Sequence, residues 1–237
     1  MAILVVGATG KTGRLLVEQL LGKNHEIRVI VRSSINLPRT VLENPNTRVV
    51  KASILDLTDE EMAEHVKDCD AVVSCLGHVP NLKGIFGKPR NLCTDATRRL
   101  CNAIEENDPP KSVKFILMNT VGIQNHDLGE RRTLLERGLL TILRYTLPPH
   151  RDNETAAEHL RSVVGRENEH VEWCSVRPDS LIDAEVSQYS VEESPVTGIL
   201  SGRSTSRSNV ARFMTELIDD ADLWNTWKFR MPVIMNS

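Results

Sequence analysis

The sequence predicts an α/β fold built on a doubly wound parallel sheet. Short apolar runs alternate along the chain with longer segments whose apolar residues recur at helical spacing. Neighbouring parallel strands need a crossover connection, usually a helix, so this alternation favours a parallel sheet with helices on both faces. The length of 237 residues suits one such domain, and 40% apolar with 26% charged residues is typical of a globular chain.

The predicted strands are runs rich in Val, Ile and Leu that are bounded by turn or helix signals. They span residues 2–6, 26–31, 48–51, 70–76, 113–118 and 171–176, and a last strand is expected at 229–235.

The predicted helices follow apolar residues at helical spacing together with start and stop signals. Acidic residues at 59–61 mark one first turn, and Pro109-Pro110 ends the next helix. Helices are expected at 11–21, from about 58, at 91–107, 134–143, 153–164 and 209–218, with Pro148-Pro149 separating the fourth and fifth. The weakly periodic segment 182–205 either lines or covers a substrate pocket or forms an ordinary surface connection.

Charge and hydropathy exclude several classes of function. Lys and Arg number 29 against 32 Asp and Glu, a net charge of −3, so a general binder of nucleic-acid backbones is not expected. The apolar run at 2–6 is far shorter than the ~20 residues that cross a bilayer, and no basic stretch precedes it. We expect a cytoplasmic protein with a small-molecule substrate and no membrane or nucleic-acid partner. The sequence does not indicate the oligomeric state.

The cysteine pattern argues against a disulfide framework and against a metal centre. The five cysteines are scattered, and no two of them form a CxxC pair. We therefore expect reduced thiols and no zinc site.

A glycine-rich turn carries the main functional signal. The segment GATGKTGR, residues 7–14, lies between the first predicted strand and the first predicted helix. Such a turn presents backbone N–H groups and a helix N-terminus to a pyrophosphate. Gly7 permits the tight turn, Gly10 lets the diphosphate approach, and Gly13 lets the helix pack on the strand.

Two related motifs do not fit this turn. A triphosphatase loop, GxxxxGK[ST], needs glycine five residues before Gly10, where the chain has Val5. The GxGxxG pattern needs glycine at position 8, where the chain has Ala8, so the motif is GxxGxxG. The position between strand and helix therefore favours dinucleotide binding.

The end of the second strand indicates which dinucleotide is bound. A carboxylate at this place binds the adenosine ribose and repels a 2′-phosphate. The chain instead has Arg32, Ser33 and Ser34, with Lys11 as a further cation nearby, and these groups suit a phosphate. NADP(H) is therefore the predicted cofactor. The alternative is that Arg32 stacks on adenine or lies in solvent.

Four segments, GATGKTG, VIVRSSINLP, DAVVSCLG and VEWCSVRP, resemble the atypical short-chain dehydrogenase/reductases in their order and spacing. The chain is most similar to the NAD(P)H-binding, NmrA-like subgroup, which includes NADPH-dependent flavin and biliverdin reductases. The resemblance covers residues 1 to about 180 and, more loosely, the C-terminal stretch. It implies one Rossmann-like NAD(P)-binding domain over 1–237, with 179–237 contributing the substrate side.

The resemblance also implies roles for individual residues. Ser53 and Ile54 stand beside adenine, where the family usually has Asp before the aliphatic residue, so that Asp is missing here. Asn119 and Thr120 correspond to positions near the nicotinamide, and Pro178 to the residue that contacts its carboxamide. The remaining positions match the diphosphate loop, the 2′-phosphate site and the end of the fourth strand: Gly7, Thr9, Gly10, Lys11, Thr12, Gly13, Arg32, Ser33, Cys75, Leu76 and Gly77.

The catalytic pattern departs from the wider superfamily, whose reductases use Tyr-x-x-x-Lys. An alignment on the segment before the sixth strand puts His150 at the Tyr position and Glu154 at the Lys position. Neither Tyr145 nor Tyr189 has Lys four residues later. Either His150 acts as the acid while Thr120 orients the substrate, or a flavin or quinone acceptor takes its proton from water. A surface role for His150 is a third interpretation.

Two functions follow as hypotheses. The first is an NADPH-dependent oxidoreductase that transfers hydride to a small conjugated or carbonyl acceptor, such as a flavin or a quinone. The second is a redox sensor that binds NADP(H) without turnover. The absent Tyr and Lys favour the sensor, whereas the polar residues Asn119, Thr120 and His150 favour the enzyme.

Overall fold

A mostly parallel sheet of eight strands forms the centre of the computed structural model, which describes residues 1–79, 81–130, 133–196 and 203–237. The strand order is β3-β2-β1-β4-β5-β6-β10-β8, and β7 and β9 form a separate parallel pair. The strands are β1 (Ala2–Val6), β2 (Glu26–Val31), β3 (Thr47–Lys51), β4 (Ala71–Ser74), β5 (Val113–Met118), β6 (Val171–Pro178), β7 (Ser180–Ile182), β8 (Tyr189–Glu192), β9 (Ser204–Ser206) and β10 (Val233–Asn236).

Helices cover both faces of this sheet. They are α1 (Lys11–Gly22), α2 (Arg39–Leu42), α3 (Asp59–Val66), α4 (Leu82–Phe86), α5 (Leu92–Glu106), α6 (Leu134–Thr146), α7 (Pro148–His159), α8 (Arg207–Asp219) and α9 (Ala221–Trp227). A π-helical turn over Leu160–Val164 continues α7. Buried apolar residues of α1, α8 and α9 pack on one face, and those of α3, α5 and α7 pack on the other. The predicted doubly wound α/β fold is therefore confirmed.

The order of the strands fixes where a ligand can bind. From β1 the chain runs outward through β2 and β3, then returns to place β4 on the other side of β1. A crevice opens at such a reversal, outside the carboxyl ends of the two strands. Gly7 follows β1 and Cys75 follows β4, so the glycine turn lies at this point.

Several predicted boundaries are wrong. The helix expected from 153 begins at Pro148, because proline is favoured in the first helical turn, where its missing N–H costs nothing. His150 therefore lies on the first turn of α7. The last strand is shorter than expected and begins at Val233, since Phe229 has a φ of +60° that a strand does not adopt.

For the segment 182–205 the sequence predicts either a part that lines or covers a substrate pocket or an ordinary surface connection. The segment contains β8, which pairs antiparallel with β10 at one edge of the sheet. Residues 197–202 of this segment lie outside the described ranges. None of the helices in the described ranges is long and apolar enough to cross a lipid bilayer.

Candidate functional site

The glycine turn has the geometry that its sequence predicts. Gly7 has a φ of +78°, and a β-carbon on it would lie 2.4 Å from the carbonyl of Cys75, so only glycine fits between β1 and β4. A β-carbon on Gly13 would lie 2.3 Å from the Gly7 oxygen, which shows how closely α1 packs on the turn. Gly10 is the N-cap residue before α1 and has no side chain to cap the helix, which leaves the first-turn amides to an anionic ligand.

A cavity of about 300 Å³ opens at this turn. We call it the glycine-turn cavity. Of the residues predicted to bind the cofactor, it is lined by Gly7, Thr9, Gly10, Arg32, Ser53, Ile54, Cys75, Leu76 and Gly77. The ends of β1, β2, β3 and β4 thus contribute to one cleft. Among the described residues that line it, Arg32 is the one cation and none is acidic.

The other predicted cofactor residues of the turn lie around this cavity. Thr12 is buried in the first turn of α1. Ser33 is exposed beside Arg32, and its hydroxyl accepts a long hydrogen bond from the Ile35 amide. The Lys11 ammonium lies 2.6 Å from the Asp183 carboxylate, which in turn binds Arg207. The hydrogen bond from Lys11 lowers the pKa of Asp183.

Cys75 lines the cavity as a neutral group. Burial raises the pKa of its thiol to about 12, so the thiolate is scarce at neutral pH. All five cysteines are free thiols, as the sequence predicts.

A second cavity, of about 580 Å³, opens at the carboxyl ends of β5 and β6. We call it the β5–β6 cavity. It brings the adjacent residues Asn119 and Thr120 together with His150 and Pro178, which are about 30 and 60 positions further along the chain. Apolar residues of α6 and the segment after β6 complete the wall, namely Leu139, Leu140, Leu143 and Leu181.

Thr120 and His150 face the same small space. The Thr120 hydroxyl oxygen and the His150 Nδ1 both lie within 3.7 Å of the position that a β-carbon on Gly122 would occupy. Asn119 is more deeply placed, because its amide nitrogen donates to the Asn153 carbonyl at 2.9 Å and so ties β5 to α7. The polar side chains of this cavity therefore come from the residues after β5, the first turn of α7, the segment after β6 and the start of α8.

Sequence reasoning missed three parts of the site. Leu139, Leu140 and Leu143 recur at helical spacing, but their periodicity does not tell which face of α6 meets a cavity. Arg207 lines the β5–β6 cavity from the start of α8, and no motif marks it. His78 is the third part, and no motif marks it either; its side chain is 5% exposed and bonds to Asp152.

Comparison with known proteins agrees with this geometry. The family model described as NAD(P)H-binding matches residues 7–221. The chain belongs to the NAD(P)H-binding family. This family assignment confirms the expectation of an NAD(P)H site. An uncharacterized chloroplastic protein of Arabidopsis thaliana is 27% identical over 129 residues, which are 54% of this chain and 44% of that protein.

Solved structures share the fold of this NAD(P)H-binding chain. An oxidoreductase of Lactococcus lactis is 20% identical, with a TM-score of 0.71 over 100% of this chain and 91% of that one. A short-chain dehydrogenase/reductase of Veillonella parvula in complex with NADP is 16% identical, with a TM-score of 0.71 over 98% and 93%. ChuY, an anaerobillin reductase of Escherichia coli O157:H7, is 16% identical, with a TM-score of 0.70 over 100% and 97%.

Proposed function

We propose that the protein is an NADPH-dependent oxidoreductase that reduces a small conjugated or carbonyl acceptor. The observation that carries the proposal is the pair of cavities at the carboxyl ends of the parallel strands. The glycine-turn cavity offers backbone amides and Arg32 to a dinucleotide, while the β5–β6 cavity offers Thr120 and His150 to an acceptor. The family assignment and the NADP complex of the Veillonella structure support the dinucleotide part.

The preference for NADPH rests on the end of β2. The coenzyme with a 2′-phosphate carries additional negative charge, which a guanidinium binds by charge-assisted hydrogen bonds. Arg32 lines the glycine-turn cavity, and none of the described residues that line it would repel that phosphate.

The chain's own residues supply orientation and, for some acceptors, a proton. Bound NADPH supplies hydride, that is, two electrons with one hydrogen nucleus. The Thr120 hydroxyl can bind the acceptor oxygen, and the His150 ring can deliver the proton that balances the reduction of a carbonyl. A flavin or quinone can take this proton from water, so His150 matters less for such acceptors. The four leucine side chains of the β5–β6 cavity suit a planar apolar molecule.

The rival function is an NADP(H)-binding sensor without turnover. One observation favours it: the position where related reductases have Lys holds the acidic Glu154, whose carboxylate binds Arg144 of α6 at 3.1 Å, so this position offers no cation. Such a sensor would also bind NADP(H) in the glycine-turn cavity, but it would not transfer hydride to an acceptor.

Acceptor-dependent oxidation of NADPH distinguishes the two functions. Purified protein with NADPH would be offered a flavin, a quinone and an aldehyde, and the loss of reduced coenzyme would be followed by absorbance. We expect turnover with at least one acceptor. His150→Gln should lower kcat about 10²-fold or more for the aldehyde and little for the flavin or quinone. The matched control is His126→Gln, which changes an exposed histidine outside both cavities. Tight NADPH binding without oxidation by any acceptor would establish the sensor instead.

A further inference from the structure

A buried carboxylate connects the two cavities. Asp152 lies on α7, is 2% exposed, and accepts hydrogen bonds from the backbone amides of Cys93 at 2.8 Å and Thr94 at 2.9 Å. These amides open α5, whose own N-cap residue, Asn91, makes no side-chain capping bond. Asp152 therefore caps α5 from a different helix, and the negative charge is stabilised at that helix N-terminus.

His78 is the second member of this buried group. Its Nε2 lies 2.8 Å from the Asp152 carboxylate, and its Nδ1 lies 3.1 Å from the Gly84 carbonyl oxygen. Each ring nitrogen thus faces an oxygen that accepts a hydrogen bond. The ring thus links the Asp152 carboxylate to the segment that contains Gly84.

The pair joins the walls of the two cavities. On one side, His78 stands between Gly77 and Val79, which both line the glycine-turn cavity. On the other side, Asp152 follows His150 by two residues on α7. A shift of either partner would therefore move a wall of the coenzyme cleft relative to the acceptor-side histidine.

A metal centre is the competing explanation for this group. Ligand atoms of His78, Cys93 and Asp152 lie within 4.8 Å of one another. However, the Cys93 thiol lies 3.5 Å from the Leu76 carbonyl, to which it can donate, and the two oxygens of Asp152 already accept from three donors. Burial and the negative charge of Asp152 also raise the pKa of Cys93, which disfavours the thiolate that binds metals. The contacts favour a hydrogen-bonded cluster.

We propose that His78 and Asp152 form a positioning pair that fixes the wall of the glycine-turn cavity relative to the helix of His150. Coenzyme and acceptor are then held in one mutual arrangement. Neither His78 nor Asp152 lines either cavity, so the pair acts by positioning. The inference rests on the proposed function, because the two ligands are those that the function requires.

The test compares this pair with a similar pair elsewhere in the molecule. The variants are His78→Gln, Asp152→Asn and their combination. The matched control is His25→Gln: His25 is also buried and lies 2.7 Å from a carboxylate, that of Asp219. His25 directly precedes β2, so it lies at the amino ends of the parallel strands, whereas both cavities open at their carboxyl ends.

We expect each single variant to raise the Kd for NADPH about tenfold, because a broken pair leaves a buried polar group unpaired. The Kd of the double variant for NADPH should be no more than about twofold higher than that of the single variant that binds NADPH more weakly, because both substitutions break the same contact. At saturating NADPH, Asp152→Asn should also lower kcat, whereas His78→Gln should change mainly KM. The control should lose thermal stability while its Kd for NADPH stays within about twofold of the wild type.

Hydrogen exchange of the coenzyme-free protein gives a second readout. The amides of α4 should exchange faster in His78→Gln than in the wild type and remain unchanged in His25→Gln. Any one of four results would overturn the proposal: unchanged exchange of the α4 amides, a Kd for NADPH like that of the control, additive effects of the two single variants on this Kd, or stoichiometric zinc in the purified protein. If the wild type bound no dinucleotide, the proposed function would fail, while the exchange of α4 would still decide whether His78 holds this segment in place.

Discussion

Arg32 is the residue on which the proposed preference for NADPH depends. It follows β2 directly, is exposed, and lines the glycine-turn cavity together with Ser53 and Ile54. The resemblance puts Ser53 where the family usually has Asp, and the described residues that line the cavity include a cation and hydroxyl groups but no carboxylate. This combination favours a phosphate over free ribose hydroxyls.

The Arg32→Ala variant tests that role. We expect its Kd for NADPH to rise about 10- to 100-fold, because a charge-assisted hydrogen bond contributes roughly 1.5–3 kcal/mol. The Kd for NADH, which lacks the 2′-phosphate, should change less than about threefold. Arg39→Ala is the control, because Arg39 is exposed on the neighbouring α2 and does not line the cavity. Fluorescence titration of both coenzymes measures the difference, and an equal loss for both would remove the 2′-phosphate role.

At the scale of elements, the strand–turn–helix unit of β1 and α1 is the most constrained part of the site. The Gly7 oxygen accepts a hydrogen bond from the Gly10 amide at 3.0 Å and lies where any side chain on Gly13 would point. The close packing of α1 and the shape of the glycine turn therefore depend on each other.

The Gly13→Ala variant should therefore destabilise the protein. The added methyl group would clash with the Gly7 carbonyl, and relieving an overpacked contact typically costs about 1–3 kcal/mol. Gly22→Ala is the matched control on the same helix, since a β-carbon there meets no heavy atom within 4 Å. Urea denaturation of both variants measures the free energy of unfolding. Equal stability of the two variants would show that α1 can move away from the turn.

The same elements show why some predictions succeed and others fail. The continuous apolar run of β1 is predicted well, because a strand buried on both faces is apolar at every position. The edge strand β8 has no such run, and its pairing with β10 joins residues more than 40 positions apart. The predicted start of α7 is wrong because Pro148 does not separate two helices but is the first residue of α7.

For the whole molecule, the reversal of strand order between β1 and β4 brings the glycine turn, the end of β2 and the segment after β4 into one cleft. A local motif predicts the glycine turn, because its chemistry depends on neighbouring backbone groups. The β5–β6 cavity instead brings together segments that are distant along the chain, such as those of His150 and Thr120, and Asp152 likewise bonds to the distant Cys93. Spacing along the chain does not encode such contacts, so Asp152 and Arg207 emerge only from the fold.

Calorimetric titration of the wild-type protein with NADPH and with NADH tests the central claim most directly. The account predicts one site per chain, with NADPH bound at least about tenfold more tightly than NADH. Absence of binding at millimolar coenzyme, or tighter binding of NADH, would contradict it.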